Sequence, residues 1–444
     1  MFDKVLIANR GEIACRIIKT CRKLGISTVA VYAKAEGTPL HAELADEAFD
    51  LPESATPAGS YLDAEAIAGI AAESGANAIH PGYGFLSESP VFADRCADRG
   101  IVFVGPRPDM ARLMADKWEA RKQMASLGVP VLPGASVDAG DEGSAKTALE
   151  AVGLPLMVKA TDGGGGIGMQ VVESEARLQR ALRRASSSAF RAFGSAEVYI
   201  EKLVSPARHI EVQVIADQLG NVRHLWEREC SAQRRHQKVI EEAPAPCLPE
   251  GLRESLAEMA VMAARETGYV GAGTFEFIVD GCGSAYFLEA NTRLQVEHGV
   301  TEMITGVDLV EQQLLAAAGL PLSVDGNAAV RGYAVECRIY AEDPKTFMPS
   351  PGTLDTFDLP EIADLRIDGG YRKGDAVTPY FDPLLAKFIA WGESRDEAIQ
   401  LMEKALSATE VSGVTTNIPT LQAALHHADF AAGRYSTGLI ESLP

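Results

Sequence analysis

The stretch Leu156-Met157-Val158-Lys159-Ala160-Thr161-Asp162-Gly163-Gly164-Gly165-Gly166-Ile167-Gly168-Met169-Gln170-Val171-Val172 reads as a strand, a tip with five glycines within six positions, and a second strand. A hairpin tip without side chains can lay backbone N–H groups against phosphate oxygens, so the pattern suits a phosphate cover. No Gly-Lys-Ser/Thr follows, and a strand rather than a helix comes next, so the P-loop reading fails on context. Lys159, ending the first strand, would reach phosphates as a point charge. A flexible turn with a solvated lysine is the competing reading of this loop taken alone.

Toward the amino terminus the chain alternates strand and helix signals. Val5-Leu6-Ile7-Ala8 is followed by an amphipathic run over 12–24 stopped by Gly25, then by Thr28-Val29-Ala30-Val31-Tyr32. A helical stretch near 63–73, a strand-like 76–79 and Ile101-Val102-Phe103-Val104 continue the βαβ punctuation, which predicts a parallel sheet. The first strand-to-helix turn, Ala8-Asn9-Arg10-Gly11-Glu12, holds a single glycine, so the dinucleotide fingerprint is missing and a nicotinamide or flavin enzyme is disfavoured. A helix over about 109–126 sets a domain boundary near Leu113. Beyond it strands dominate, at 156–160, 169–172, 198–201, 210–215, 222–226, 274–279 and 285–290, with flanking helices at 251–267 and 309–318. From about Arg331 a third region of shorter strands carries a helix over 396–408. The expected fold class is α/β and α+β in three units, 1–113, 114–330 and 331–444, with 136–144 and 186–188 as mobile loops.

The 444 residues are enough for about three domains, and the composition is that of a globular protein. No apolar run reaches the ~18 residues that span a bilayer, and the amino terminus shows no export signal, so a cytoplasmic protein without a membrane partner is expected. The net charge of −20 repels nucleic acid, and any anionic substrate needs a local basic cluster. Seven scattered cysteines without a CxxC pair argue against disulfides and zinc ribbons and read as reduced, mostly buried thiols.

The stretch 273–291 reads as a hairpin, and a turn centred between Cys282 and Gly283 sets Glu276 directly across from Glu289. Alternation then puts Phe275, Phe277, Val279, Leu288 and Ala290 on a core face. Glu276, Ile278, Phe287, Glu289 and Asn291 fall on the other. Like charges facing each other destabilise a sheet, and a hard cation such as Mg²⁺ removes the repulsion; glutamates splayed into water are the alternative. The same alternation projects Arg293, Gln295 and Glu297 as Asn291 points, an anion-binding arginine with a candidate base four residues on. The run from Arg228 to Lys238 carries four fixed positive charges against one negative and is the local cluster that the net charge requires. His209, Glu211 and Gln213 share the polar face of a half-buried strand. Arg338, between Cys337 and Ile339 in an apolar pattern, needs an anion or carboxylate partner.

With these residues in view, the chain resembles biotin carboxylase, the ATP-grasp component of biotin-dependent carboxylases, over essentially its whole length. The resemblance is carried by 7–14, by His80-Pro81-Gly82-Tyr83-Gly84-Phe85-Leu86-Ser87-Glu88, by the glycine loop, and by 233–246, 271–277, 291–298 and Glu336-Cys337-Arg338. It implies an ATP-grasp fold with an N-terminal Rossmann-like parallel-sheet domain, a mobile glycine-loop lid over about 131–203 and a C-terminal biotin carboxylase domain. It also implies a reaction in which MgATP (or MnATP) phosphorylates bicarbonate to carboxyphosphate, whose breakdown supplies CO2 for the biotin ureido nitrogen. By position, the resemblance assigns Lys117, Lys159, Gly165, Gly166, Met169, His209, Gln233 and His236 to ATP, with Glu201 and Lys202 beside the adenine. Glu276, Glu289 and Asn291 are assigned to the metal. Lys238, Arg293, Gln295 and Val296 are assigned to bicarbonate, Glu297 to its deprotonation, and Arg338 to biotin and its enolate.

The resemblance further implies a homodimer and, because no Met-Lys-Met occurs, biotin delivered on a separate biotin carboxyl carrier protein serving a carboxyltransferase. Two departures stand out: Ile167 where acetyl-CoA carboxylase members usually have arginine, and Gly299 where they have proline. Asp162 also replaces a glycine. These features look more like the urea-carboxylase branch, and the final acceptor, whether acyl-CoA, urea-like amide or 2-oxo acid, stays open. The alternative readings are another ATP-grasp carboxylate-amine ligase and a catalytically silent, nucleotide-binding regulatory subunit.

Overall fold

A computed structural model describes residues 1–162, 166 and 168–443. The chain opens with a parallel sheet of five strands in the order β3-β2-β1-β4-β5, where β1 is Lys4–Ile7, β2 Ser27–Ala33, β3 Glu47–Leu51, β4 Ala78–His80 and β5 Val102–Phe103. The helix Gly11–Lys23 buries Ile13, Ala14, Ile17, Ile18 and Cys21 against β1 in one core cluster, following its 3.6-residue apolar period.

The helix expected over 109–126 is instead two, Pro108–Ala115 and Lys117–Ser126. The Asp116 carboxylate accepts from the N–H groups of Trp118 and Glu119 at 2.9 and 3.0 Å and so caps a new helix in mid-run. The break carries the Lys117 N–H to the Thr161 carbonyl, 2.9 Å away, at the mouth of the glycine loop.

A four-stranded antiparallel sheet follows, in the order β6-β9-β7-β8, with β6 Gly134–Val137, β7 Leu156–Ala160, β8 Gln170–Val172 and β9 Val198–Lys202. The stretches expected as mobile loops lie largely in regular elements. Ser136 and Val137 belong to β6, and Asp141 caps the helix Glu142–Val152 by accepting from the Gly143 N–H at 2.9 Å. Ser186 to Ser188 lie inside the helix Glu175–Phe193, because buried Leu178, Ala181, Leu182, Ala185 and Ala189 hold it on this sheet despite the low propensity of serine.

The largest sheet has eight antiparallel strands. Its order is β14-β13-β10-β11-β12-β15 and then Leu384–Gly392 and Leu365–Gly369, with β10 Ala207–Ala216, β11 Val222–Arg234, β12 Gln237–Ala243, β13 Gly271–Asp280, β14 Ala285–Asn291 and β15 Tyr333–Tyr340. The third region therefore shares a sheet with the second across the β12–β15 pairing.

The hairpin β13–β14 sets Glu276 opposite Glu289, as its turn predicts, but a register shift between Glu276 and Phe277 changes what lies nearer the turn. Phe277 pairs with Phe287, which is 3 % exposed and packs in the core with Phe275 and Val279, while Leu288 turns to the cleft described below. The faces expected for Phe287 and Leu288 are exchanged by this one-residue bulge, which alternation alone does not reveal. No helix among the described residues is long and apolar enough to cross a membrane.

Candidate active site

The four-stranded sheet, the eight-stranded sheet and the loops after β1 and β4 enclose a cleft of about 1450 Å³. Every residue assigned above on resemblance that lies among the described residues lines it, from Lys117, Lys159, Gly166 and Met169 at one side to Arg293, Glu297 and Arg338 at the other. Gly165 and Ile167 lie outside the described residues.

Each side chain arrives by strand alternation. In β10, Ile210, Val212 and Val214 enter the core, which turns His209, Glu211 and Gln213 to the opposite face. Glu276 and Glu289 come from the paired strands β13 and β14. Lys238 comes from the start of β12 and Arg338 from the middle of β15. The tight turn between β11 and β12 holds Arg235 and His236 at φ of 49° and 66°, and the glycine loop lies over it: a Cβ added to Gly166 would sit 3.3 Å from the His236 Cβ. Gly166 itself has φ 74°, so the position suits glycine both by conformation and by space.

The centre is a set of alternating charges. Lys238 Nζ donates to Glu211 at 2.6 Å, Glu297 at 2.7 Å and Glu276 at 3.0 Å. Arg338 Nη2 donates to the other oxygen of Glu297 at 2.9 Å. Glu276 also meets His209 Nε2 at 2.7 Å and accepts from Asn291 and Gln295 at 2.7 and 3.1 Å. Gln233 fixes the other His209 nitrogen at 2.8 Å. Arg293 reaches Glu88 at 2.9 Å, Gln295 at 3.0 Å and Asn291 at 3.2 Å. At the far side Lys117 pairs closely with Glu289 and Lys159 with Glu201, while Lys202 Nζ donates to the Leu154 carbonyl at 2.5 Å. Val296 contributes its carbonyl to Lys387 at 2.7 Å.

Burial alone would push Glu297 and Glu276 up. The charges of Lys238 and Arg338 outweigh it at Glu297, and those of Lys238 and His209 at Glu276, so both are held below the ordinary carboxylate range. Burial opposes the charge of Lys238, but Glu211, Glu276 and Glu297 more than compensate and raise its pKa. Lys238 is therefore firmly cationic, and the candidate base Glu297 firmly ionised.

The basic run 228–238 does not act as one cluster. Arg228 is fully buried and serves Glu211 at 2.5 Å and Gln213 at 2.8 Å; Arg234 is held by Glu342 at 2.7 Å; Arg235 reaches the Thr346 carbonyl at 3.0 Å. Of the four fixed charges only Lys238 lines the cleft, because the strand alternates and the turn carries Arg235 away. Glu88, Glu211 and Glu241, to which the sequence pattern assigns no role, hold Arg293, Lys238 and Arg338 respectively. Alternation along β10 and the charge count around Lys238 were the available signals for Glu211.

Glu276, Glu289 and Asn291 offer only oxygen donors to a cation, a set that fits Mg²⁺ or Mn²⁺ and not a thiolate-seeking metal. Two other groupings whose donor atoms converge among the described residues, His209–Glu211–Glu276 and Glu211–Cys230–Glu297, are already paired with Arg228 and Lys238. All seven cysteines are free, and Cys21, Cys96, Cys230 and Cys337 are buried.

Comparison with known proteins places this architecture. Three family models match in order: "Biotin carboxylase, N-terminal domain" over 1–111, "Carbamoyl-phosphate synthase L chain, ATP binding domain" over 116–325 and "Biotin carboxylase C-terminal domain" over 336–442. The chain is 52% identical to biotin carboxylase 2 of Bacillus subtilis over 443 residues, covering 99% of both chains. It is 45% identical to a pyruvate carboxylase component of Methanothermobacter thermautotrophicus, covering 99% of this chain and 90% of that one. Among solved structures, it superposes with a TM-score of 0.96 and 45% identity on the biotin carboxylase domain dimer of the Hydrogenobacter thermophilus 2-oxoglutarate carboxylase, crystallised with MgADP, ADP and bicarbonate. That match covers 99% of this chain and 97% of the other. Matched end to end in sequence and fold, the chain belongs to the biotin carboxylase family, ATP-dependent enzymes of the ATP-grasp fold that carboxylate biotin with bicarbonate.

Proposed function

We propose that this cleft carries out the biotin carboxylase half-reaction with the residues assigned above, and the observation that supports it most is the arrangement around Glu297. This carboxylate is 1 % exposed and shared between Lys238 and Arg338, with Arg293 joined to the same site through Gln295 and Asn291. A base so strongly paired is a weak base in the empty cleft. Bicarbonate entering among Lys238, Arg293, Gln295 and Val296 draws part of the positive charge onto itself. Glu297 then regains basicity at the moment its proton donor arrives.

Loss of that proton to Glu297 lets the bicarbonate oxygen attack the γ-phosphorus of ATP; the new P–O bond forms as the bond to the β-phosphate oxygen breaks, giving ADP and carboxyphosphate. Lys117, Lys159, His209, His236 and the backbone at Gly166 would position the phosphates, and Met157, Met169 and Leu203 form apolar walls suited to the adenine near Glu201 and Lys202. Glu276, Glu289 and Asn291 would hold a divalent cation, which would supply charge neutralisation for the phosphates, and Lys117 and His209, beside Glu289 and Glu276, would face the nucleotide. Carboxyphosphate divides into CO2 and phosphate, phosphate takes the biotin ureido proton, and Arg338 stabilises the resulting enolate oxygen while the nitrogen attacks CO2.

Biotin carried on a separate biotin carboxyl carrier protein, a carboxyltransferase partner, a homodimer and a cytoplasmic setting complete the reading. The dimer of the Hydrogenobacter protein supports the homodimer. Similar identity to a pyruvate and a 2-oxoglutarate carboxylase component supports the view that the acceptor is chosen by the carboxyltransferase. ATP hydrolysis with Mg²⁺ and bicarbonate, measured with and without free biotin, tests the proposal. Biotin should stimulate the parent, and Glu297→Ala and Arg338→Ala should each abolish the stimulation. Turnover stimulated by an amine and indifferent to biotin would refute it.

A further inference from the structure

Behind Arg338 the sheet contains a feature that the reaction scheme does not use. Strands β12 and β15 pair so that Glu241 lies directly opposite Glu336, and both residues are 0 % exposed. Neither carboxylate makes a hydrogen bond among the described residues. Arg338 Nη2 lies 2.5 Å from Glu241 Oε1, a charge contact without hydrogen-bond geometry, and it is the same nitrogen that serves Glu297.

The groups facing the pair leave it short of positive charge. Glu297, Cys230 and Lys238 face Glu241, and Lys238 is already committed to Glu211, Glu276 and Glu297. Lys387 faces Glu336, but it donates to the Val296 carbonyl and lies nearest Glu12, at 3.5 Å, and Asp368, at 3.9 Å, while Cys337 turns to the core on the other side of the sheet. On the helix side, His298 Nε2 lies nearest Glu302, at 3.8 Å, and Gly299 presents no side chain. A Cβ added to Gly299 would stand 3.0 Å from Glu336 Oε2, so this glycine leaves room for the carboxyl group. With Arg338 in contact with Glu241 and not Glu336, and Lys387 drawn toward Glu12 and Asp368, ionising both opposed carboxylates is strongly disfavoured. Burial pushes both upward; it is opposed chiefly by Arg338, in direct contact, at Glu241 and by the more distant Lys387 at Glu336.

We propose that Glu241 and Glu336 hold one proton between them, resting mainly on Glu336, and that ionised Glu241 is the positioning residue for Arg338. The role follows from the order of events: when Glu297 takes the bicarbonate proton it loses its hold on Arg338, and Glu241 then keeps the guanidinium aimed into the cleft for the biotin step. The inference rests on the assignment of Arg338 to biotin made above.

Glu336→Gln and Glu241→Gln, compared with the parent, test it. At neutral pH the infrared difference spectrum should show a protonated-carboxyl C=O band that is lost in Glu336→Gln, the neutral isostere. Glu336→Gln should keep biotin-dependent kcat within about twofold. Glu241→Gln should lower it about tenfold or more while leaving the KM for ATP and the biotin-independent, bicarbonate-dependent hydrolysis within about threefold. Equal damage from both variants, or no carboxyl band lost in Glu336→Gln, overturns the proposal. Should Glu241→Gln not fold, the spectrum and kinetics of Glu336→Gln still decide it. A parent that hydrolyses ATP without any response to biotin defeats the functional reading instead, and the infrared result then stands alone on the shared proton.

Discussion

At the scale of single residues, this protein offsets much of its buried charge by setting carboxylates beside cations. Asp368 shows the energetics outside the cleft. It is 7 % exposed, receives Arg366 at 3.0 and 2.6 Å through both carboxylate oxygens and lies 3.9 Å from Lys387. Burial would raise its pKa, but these cations depress it strongly. A depressed folded-state value contributes stability that is complete above the unfolded value of about 3.9 and is lost as pH falls toward the folded value. Asp368→Asn should therefore destabilise the protein by about 2 kcal/mol at pH 7. Denaturation midpoints of variant and parent should converge as pH drops below about 4. A deficit unchanged in acid would show that the ion pair is not its source.

At the scale of elements, the bulge in the β13–β14 hairpin decides which side chains belong to the core and which to the site. Phe287 lies at ring-centroid distance 6.3 Å from Phe277 in an edge-on contact, whereas Leu288 lines the cleft. Phe287→Ala should cost about 3–5 kcal/mol in unfolding free energy. Leu288→Ala should cost under about 1.5 kcal/mol, since its site is partly open, yet it should raise the KM for ATP several-fold. Equilibrium unfolding and initial-rate kinetics on the two variants separate these outcomes. The opposite assignment, large loss of stability at 288 and none at 287, would restore strict alternation.

At the scale of the molecule, the eight-stranded sheet joins the second and third regions, so the site depends on both. Glu241 and Glu297 come from before residue 330, and the guanidinium they share comes from β15 after it. Removing the residues after 330 would leave β12 as an open edge with Ile240 uncovered and would strand two buried carboxylates. A polypeptide of residues 1–330 should consequently aggregate or lack a cooperative unfolding transition, as read by size-exclusion chromatography and near-ultraviolet circular dichroism. A monodisperse, cooperatively folding fragment would show that the sheet is not shared in any energetic sense.

Local pattern determined much of this protein. Apolar period marked the helices Gly11–Lys23 and Arg395–Ser407, alternation put His209, Glu211 and Gln213 on one face, and a symmetric turn set Glu276 across from Glu289. Each depends on neighbours a few residues apart, whose geometry the backbone repeats. Ordered motifs were enough to identify the family without any of the long-range contacts. What required the tertiary structure were the features that depend on a residue far along the chain or on a single irregularity. Asp116 divides a helix whose apolar pattern runs on, and one bulge exchanges Phe287 and Leu288. Arg228, Arg234 and Arg235 look identical to Lys238 in a charge count, yet Glu211, Glu342 and the Thr346 carbonyl claim them for the scaffold. The pairing of Glu241 with Glu336, 95 residues apart, follows only from strand order. Charge is written in the sequence, but its compensation is a matter of distance, and distance between remote residues is set by the fold.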